Sequence, residues 1–121
     1  MNELQWPYCN HDREVFLSKL ILAEHYLQKY GAKFVGKANE LDTWISQGVF
    51  NVSEHIEKNI WKFQESFVRV GRVYFSEKPF IVLEFSQKKE GPYEDADPFP
   101  YDLLEAEFEK EIKLSLGILE V

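Results

Sequence analysis

Hydrophobic residues recur at two different periods along this chain, and the change falls near Val68. From about His11 to Tyr30 the period is helical. At 100° per residue, Phe16, Leu20, Ala23, Leu27 and Tyr30 share one stripe with Leu17 at its edge. Asn10 or Asp12 can cap the exposed amides of this helix, and Gly31 suits its left-handed end. NELDTWISQG predicts a second, shorter helix, capped by Asn39, with Leu41, Trp44 and Ile45 as its apolar face and Gly48 as its stop. A third helix is expected from Asn51 or Ser53. Asn51 with Glu54 matches a capping box, and Ile56, Ile60, Phe63 and Phe67 follow at helical spacing.

Beyond Val68 the pattern is that of strands. VRVGRVYF and PFIVLEF are rich in β-branched and aromatic residues and are separated by the turn-like Ser76-Glu77-Lys78-Pro79, so an antiparallel hairpin is predicted over 68–86. Ile81, Leu83 and Phe85 point one way, and Phe80, Val82 and Glu84 the other. Both faces are largely apolar, which implies a central or covered strand. Two strands alone are marginal in water, so a third is expected from AKFVG (32–36) or GVFNV (48–52), or from a partner chain. A closing helix is predicted from about 102 to 116. Asp102 and Glu105 have capping-box spacing, Leu104, Phe108, Ile112 and Leu116 form the buried stripe, and Gly117 is the stop. These elements describe a single α+β domain, with helices packed on a small antiparallel sheet of two to three strands.

Composition narrows the class without naming an activity. The chain has 121 residues, 45% hydrophobic and 16% aromatic, enough apolar bulk for one compact core. A single cysteine, Cys9, excludes an intramolecular disulfide. The start, MNELQWPYC, lacks the basic and apolar regions of a secretory signal. No apolar run approaches the ~18 residues needed to span a bilayer. A cytoplasmic location is the expectation, with no membrane association.

Charge is distributed unevenly. Residues 90–111 carry nine acidic side chains and one basic, whereas the rest of the chain carries twelve acidic and thirteen basic. Within EGPYEDADPFPYD, Tyr93, Phe99 and Tyr101 alternate with the acids, and Pro92, Pro98 and Pro100 restrict the backbone. Disordered acidic tails are poor in aromatics. This composition therefore predicts an ordered connector, held by its rings, with its carboxylates turned to water. It leads into a helix whose pairs Glu105/Glu109 and Glu107/Glu111 set like charges four apart, each costing roughly 0.2–0.5 kcal/mol.

Candidate chemistry is thin. Cys9, His11 and Asp12 could ligate a metal, but structural zinc takes four ligands, and His25 and His55 have bland readings as a solvated and a partly buried side chain. Nothing visible would lower the pKa of a nucleophilic Cys9. Asp95 and Asp97 have the spacing of the first EF-hand ligands, but the sharp-turn glycine and the twelfth-position glutamate are missing. Paired carboxylates doing acid–base work would need one member buried. The basic residues of 58–89 are interleaved with acids and form no stripe for nucleic acid. No catalytic residue, metal or cofactor is expected.

The stretches WPYCNHDRE and EDADPFPYD give the whole chain a resemblance to the YfmB-like group of small uncharacterised bacterial proteins. That resemblance implies a soluble bacterial protein of unassigned role, and no site residue carries over from it. The reading favoured by the sequence is a non-enzymatic interaction module, such as a small adaptor, inhibitor or immunity-type protein. It would present an acidic face at 90–111, with Glu94, Asp95, Asp97, Glu105 and Glu109 as its contacts, to a basic protein partner. The alternative is a small-molecule-binding domain or minor enzyme with an aromatic-lined pocket. The sequence leaves the oligomeric state open.

Overall fold

A computed structural model describes residues 10–46, 50–75 and 78–118, with side chains at 17–39, 57–73 and 80–118. The chain runs α1 (Asn10–Lys29), β1 (Lys33–Ser46), β2 (Phe50–Phe63), β3 (Ser66–Phe75), β4 (Lys78–Ser86), β5 (Glu94–Asp95), β6 (Phe99–Pro100) and α2 (Glu105–Leu116). The strands form one six-stranded antiparallel sheet in the order β1-β2-β3-β4-β5, with β6 also paired to β4. The fold is α+β, as the periodicity predicts, but the sheet is twice the expected size.

The difference lies between residues 33 and 63. The two helices expected there are instead the strands of one long hairpin, paired from Lys33↔Lys62 to Ser46↔Phe50 with one register shift between Phe34 and Gly36. A spacing of four residues is compatible with either structure, because i and i+4 also share a strand face. Ile56 and Ile60 therefore satisfied a helical template while alternating as a strand. The expected third strand is present in both candidate places, since AKFVG runs into β1 and FNV opens β2. Gly48, expected as a helix stop, lies between β1 and β2, outside the described residues. So do Cys9, the start of the chain and the side chains of His11, Asp12 and His55.

The hairpin predicted over 68–86 is present, with Val68↔Phe85, Val70↔Leu83 and Arg72↔Ile81 on one face of the sheet. Both helices cover that face. Ala23 and Leu27 of α1 and Phe108, Ile112 and Leu116 of α2 bury themselves against Trp61, Val68, Val70, Ile81 and Leu83. Leu17, Leu20, Tyr30, Phe85 and Ile118 pack partly buried around this core. Gly31 (φ 109°) follows α1, and Gly117 (φ 76°) ends α2 with its amide bonded to the Leu114 carbonyl at 3.0 Å. Both are left-handed positions, where glycine avoids a side-chain clash.

The start of α2 departs from expectation. Its N-cap is Leu104, with no side-chain cap bond, so the Asp102–Glu105 capping box does not form. Leu104 is also 80% exposed rather than part of the buried stripe. It lies just outside the helix, and its extended backbone (φ −63°, ψ 156°) removes it from the helical phase shared by Phe108, Ile112 and Leu116.

Candidate functional site

The acidic connector is an interrupted edge strand laid along β4. Glu94 and Asp95 pair with Phe85 and Glu84, the Ala96 amide donates to the Leu83 carbonyl at 2.9 Å, and Phe99 and Pro100 pair with Ile81 and Phe80. Its rings hold it in place. Phe99 is 2% exposed and meets Phe108 edge to face, with ring centroids 5.4 Å apart. The Arg69 guanidinium sits 3.9 Å over the Tyr93 ring, while the Tyr93 hydroxyl donates to the Lys89 carbonyl. Lys19 of α1 donates to the Leu103 carbonyl at 2.7 Å and lies over the Phe108 ring. Prolines at 98 and 100 suit an edge, where a missing amide donor costs little.

Against this fixed backbone, Glu94, Asp95, Asp97, Asp102, Glu105 and Glu107 are all exposed. Leu104 stands exposed beside the last three in sequence. Glu109 differs from the other four residues picked from the sequence. Lys29 donates to it at 2.8 Å, the Tyr30 hydroxyl donates to the same oxygen, and the side chain is only 25% exposed. These bonds from Lys29 and Tyr30 hold the Glu109 carboxyl below the usual carboxylate range. Glu109 therefore ties α2 to the end of α1, and the outward acidic face consists of residues 94–107.

The opposite face of the sheet carries an ionic group that periodicity alone does not reveal. Arg69, Glu84 and Asp95 are directly opposed across β3, β4 and β5. Arg69 reaches the Glu84 carboxylate through Nε and a terminal nitrogen, both at 3.1 Å, and Lys58 of β2 lies 3.9 Å from the same oxygen. Glu84 fits there because the neighbouring strand position is Gly71. A Cβ on Gly71 would come within 2.6 Å of the Glu84 carboxyl carbon. Burial pushes the Glu84 carboxyl above its ordinary range, against the pull of Lys58 and Arg69. The sequence signal was faint: a glutamate on the second, otherwise apolar face of a strand.

Among the described residues, clefts that could serve as ligand sites open at two places. One, of about 240 Å³, separates α1 from β2 and β3 and is lined by Leu17, Leu20 and Ile21 together with Glu24, Lys58 and Arg72 among others. The second, of about 320 Å³, lies between Ser66, Phe85 and the 86–94 loop. Their size is at or below the ~300–1,000 Å³ usual for small-molecule sites, and among the described residues Phe85 is the only aromatic ring lining either. Among the described residues no three of His, Cys, Asp and Glu group as a metal would need. No described helix is long and apolar enough to cross a membrane. No family model, curated protein or solved structure matches the chain.

Proposed function

We infer that this domain is a protein-interaction module that receives a basic partner on the acidic face formed by residues 94–107. One observation carries the reading. The carboxylates are exposed while the backbone beneath them is pinned by strand pairing, by buried Phe99 and by the Arg69–Tyr93 stack. A surface held in one conformation loses little ordering entropy when a partner arrives. Exposed Leu104 supplies an apolar contact within the acidic rim, the arrangement in which a central side chain contributes most of the affinity and surrounding charges set rate and orientation. The clefts are a poorer match to the alternative of a ring-lined ligand pocket.

Affinity capture from the native host tests this directly, with the wild-type chain and a Glu94→Lys, Asp95→Lys, Asp97→Lys, Glu105→Lys variant as parallel baits. Proteins retained by the wild type and lost with the variant, and eluted by salt, are the expected result. Identical captures on both baits would show that the face is plain solvated surface.

A further inference from the structure

Four of the six strands form two long hairpins joined by very little. β1–β2 is in register over nearly its whole length, and so is β3–β4, but β2 and β3 pair only through Trp61↔Val68, Lys62↔Phe67 and Phe63↔Ser66. Beyond Val68 the two hairpins diverge, and the cleft of about 240 Å³ occupies the angle between them under α1. Backbone pairing therefore fixes the β1–β2 hairpin only at its root, next to the turn at Gln64 and Glu65.

Among the described residues, polar fasteners cross the gap from the rest of the domain at Glu24, Glu84 and Lys89. On the helix face, the Glu24 carboxylate of α1 accepts from Asn59 Nδ2 and from Trp61 Nε1, each at 3.0 Å. On the other face, Glu84 of β4 extends over Gly71 to Lys58. Closer to the root, Lys89 donates to the Val35 carbonyl of β1 at 2.9 Å. Each fastener joins β1 or β2 to a different element, and each can part without breaking a strand pair.

We propose that the β1–β2 hairpin is a hinged arm, clasped by Glu24, Glu84 and Lys89, that opens at the cleft about the root formed by residues 61–68. Opening keeps the β1–β2 ladder intact and uncovers the lateral edge of β3 beyond Val68. A ladder extended along β2 and β3 would forbid such motion, because many backbone bonds would have to break together. Polar contacts regain hydrogen bonds to water when they part, so each adds only modestly to the opening cost, the half-buried Lys58–Glu84 contact more than the exposed Lys89 bond. Gly71 has a specific part here, since any side chain at that position would displace the Glu84 clasp.

Pulsed electron–electron distance measurements on the full chain test the arm. Spin labels at Asn39→Cys and Glu107→Cys, in a Cys9→Ser background, report arm against body. Labels at Glu94→Cys and Glu107→Cys report the body alone. In Lys58→Met and Gly71→Ala the arm-to-body distribution should widen and shift by several ångströms, while the body pair stays unchanged. Lys89→Met, which alters only an exposed side chain and cannot unfold the domain, should give a smaller widening in the same pair. Arm distributions identical to wild type in every folded variant would overturn the proposal. So would equal widening of both pairs, which signals general loosening rather than a hinge.

Discussion

Glu84 and Asp95 face each other across adjacent strands, yet their surroundings differ almost completely. Asp95 is exposed on an edge with acidic neighbours, and nothing described contacts its carboxylate strongly enough to fix it. Glu84 has 14% of its side chain exposed and is held by Arg69 and Lys58. Charge at the edge is open to solvent. Charge under the sheet is occupied in holding strands together. The same carboxylate group thus sits in two environments, and burial with a cation separates them. Substitutions in the two regions should accordingly have different consequences, and the apolar core sets the upper end of the scale.

Leu83→Ala and Phe108→Ala remove side chains with no exposure from the single core beneath both helices. Each should cost roughly 2–5 kcal/mol in denaturant unfolding. Values near zero at both would mean that the helix face of the sheet is not the main core. Lys58→Met comes next. Removing one member of a buried pair can cost about 3–5 kcal/mol, but Arg69 still accompanies Glu84 here, so about 1–3 kcal/mol is expected. A neutral result would show that Arg69 alone satisfies Glu84.

How far the fold was legible depended on where the ordering information resides. α1, the β3–β4 hairpin and the stop of α2 at Gly117 carry local signals: a 3.6-residue stripe, alternating β-branched residues, a glycine in the left-handed position. β1 and β2 carry few. Each needs the other as partner, and propensity cannot register a strand whose stabilising neighbour lies many residues away. The turn between β2 and β3 was hidden as well, because Gln64 adopts φ 54° where glycine or asparagine would have marked a hairpin. The acidic connector was legible from composition, including the anchoring of its rings. That Glu109 would be bonded was not, since Lys29 and Tyr30 are about eighty residues distant.

The charge-reversal series sharpens the comparison at the acidic face. Glu94→Lys, Asp95→Lys, Asp97→Lys and Glu105→Lys together should leave the melting temperature within a few degrees, because these side chains are exposed. Adding Glu109→Lys should lower it further, by setting a cation against Lys29 and leaving the Tyr30 hydroxyl without its acceptor. If the fifth substitution adds nothing, the link between α1 and α2 contributes no stability.

The smallest effect expected, and the most discriminating, is in pH. Glu84 and Glu109 are shifted in opposite directions, so their linkage to folding has opposite signs. The folded-state pKa of Glu84 is raised by burial, so the folded protein takes up its proton more readily than the unfolded chain. Its stabilising contribution is fully present below the ordinary glutamate value of ~4.3. That contribution is lost as pH rises through the raised value. Glu109 is lowered by its bonds to Lys29 and Tyr30, so its contribution is present above the ordinary value and disappears as pH falls through the lowered one. Urea midpoints measured from pH 7 down to pH 3 should separate the two. Relative to Glu84→Gln, the wild type should gain stability on acidification toward the ordinary value. Relative to Glu109→Gln, it should lose stability below that value, and only slightly, because the group is close to water. Parallel curves for both variants would mean that the two carboxylates share one environment after all, and the distinction between edge and interior charge would fail.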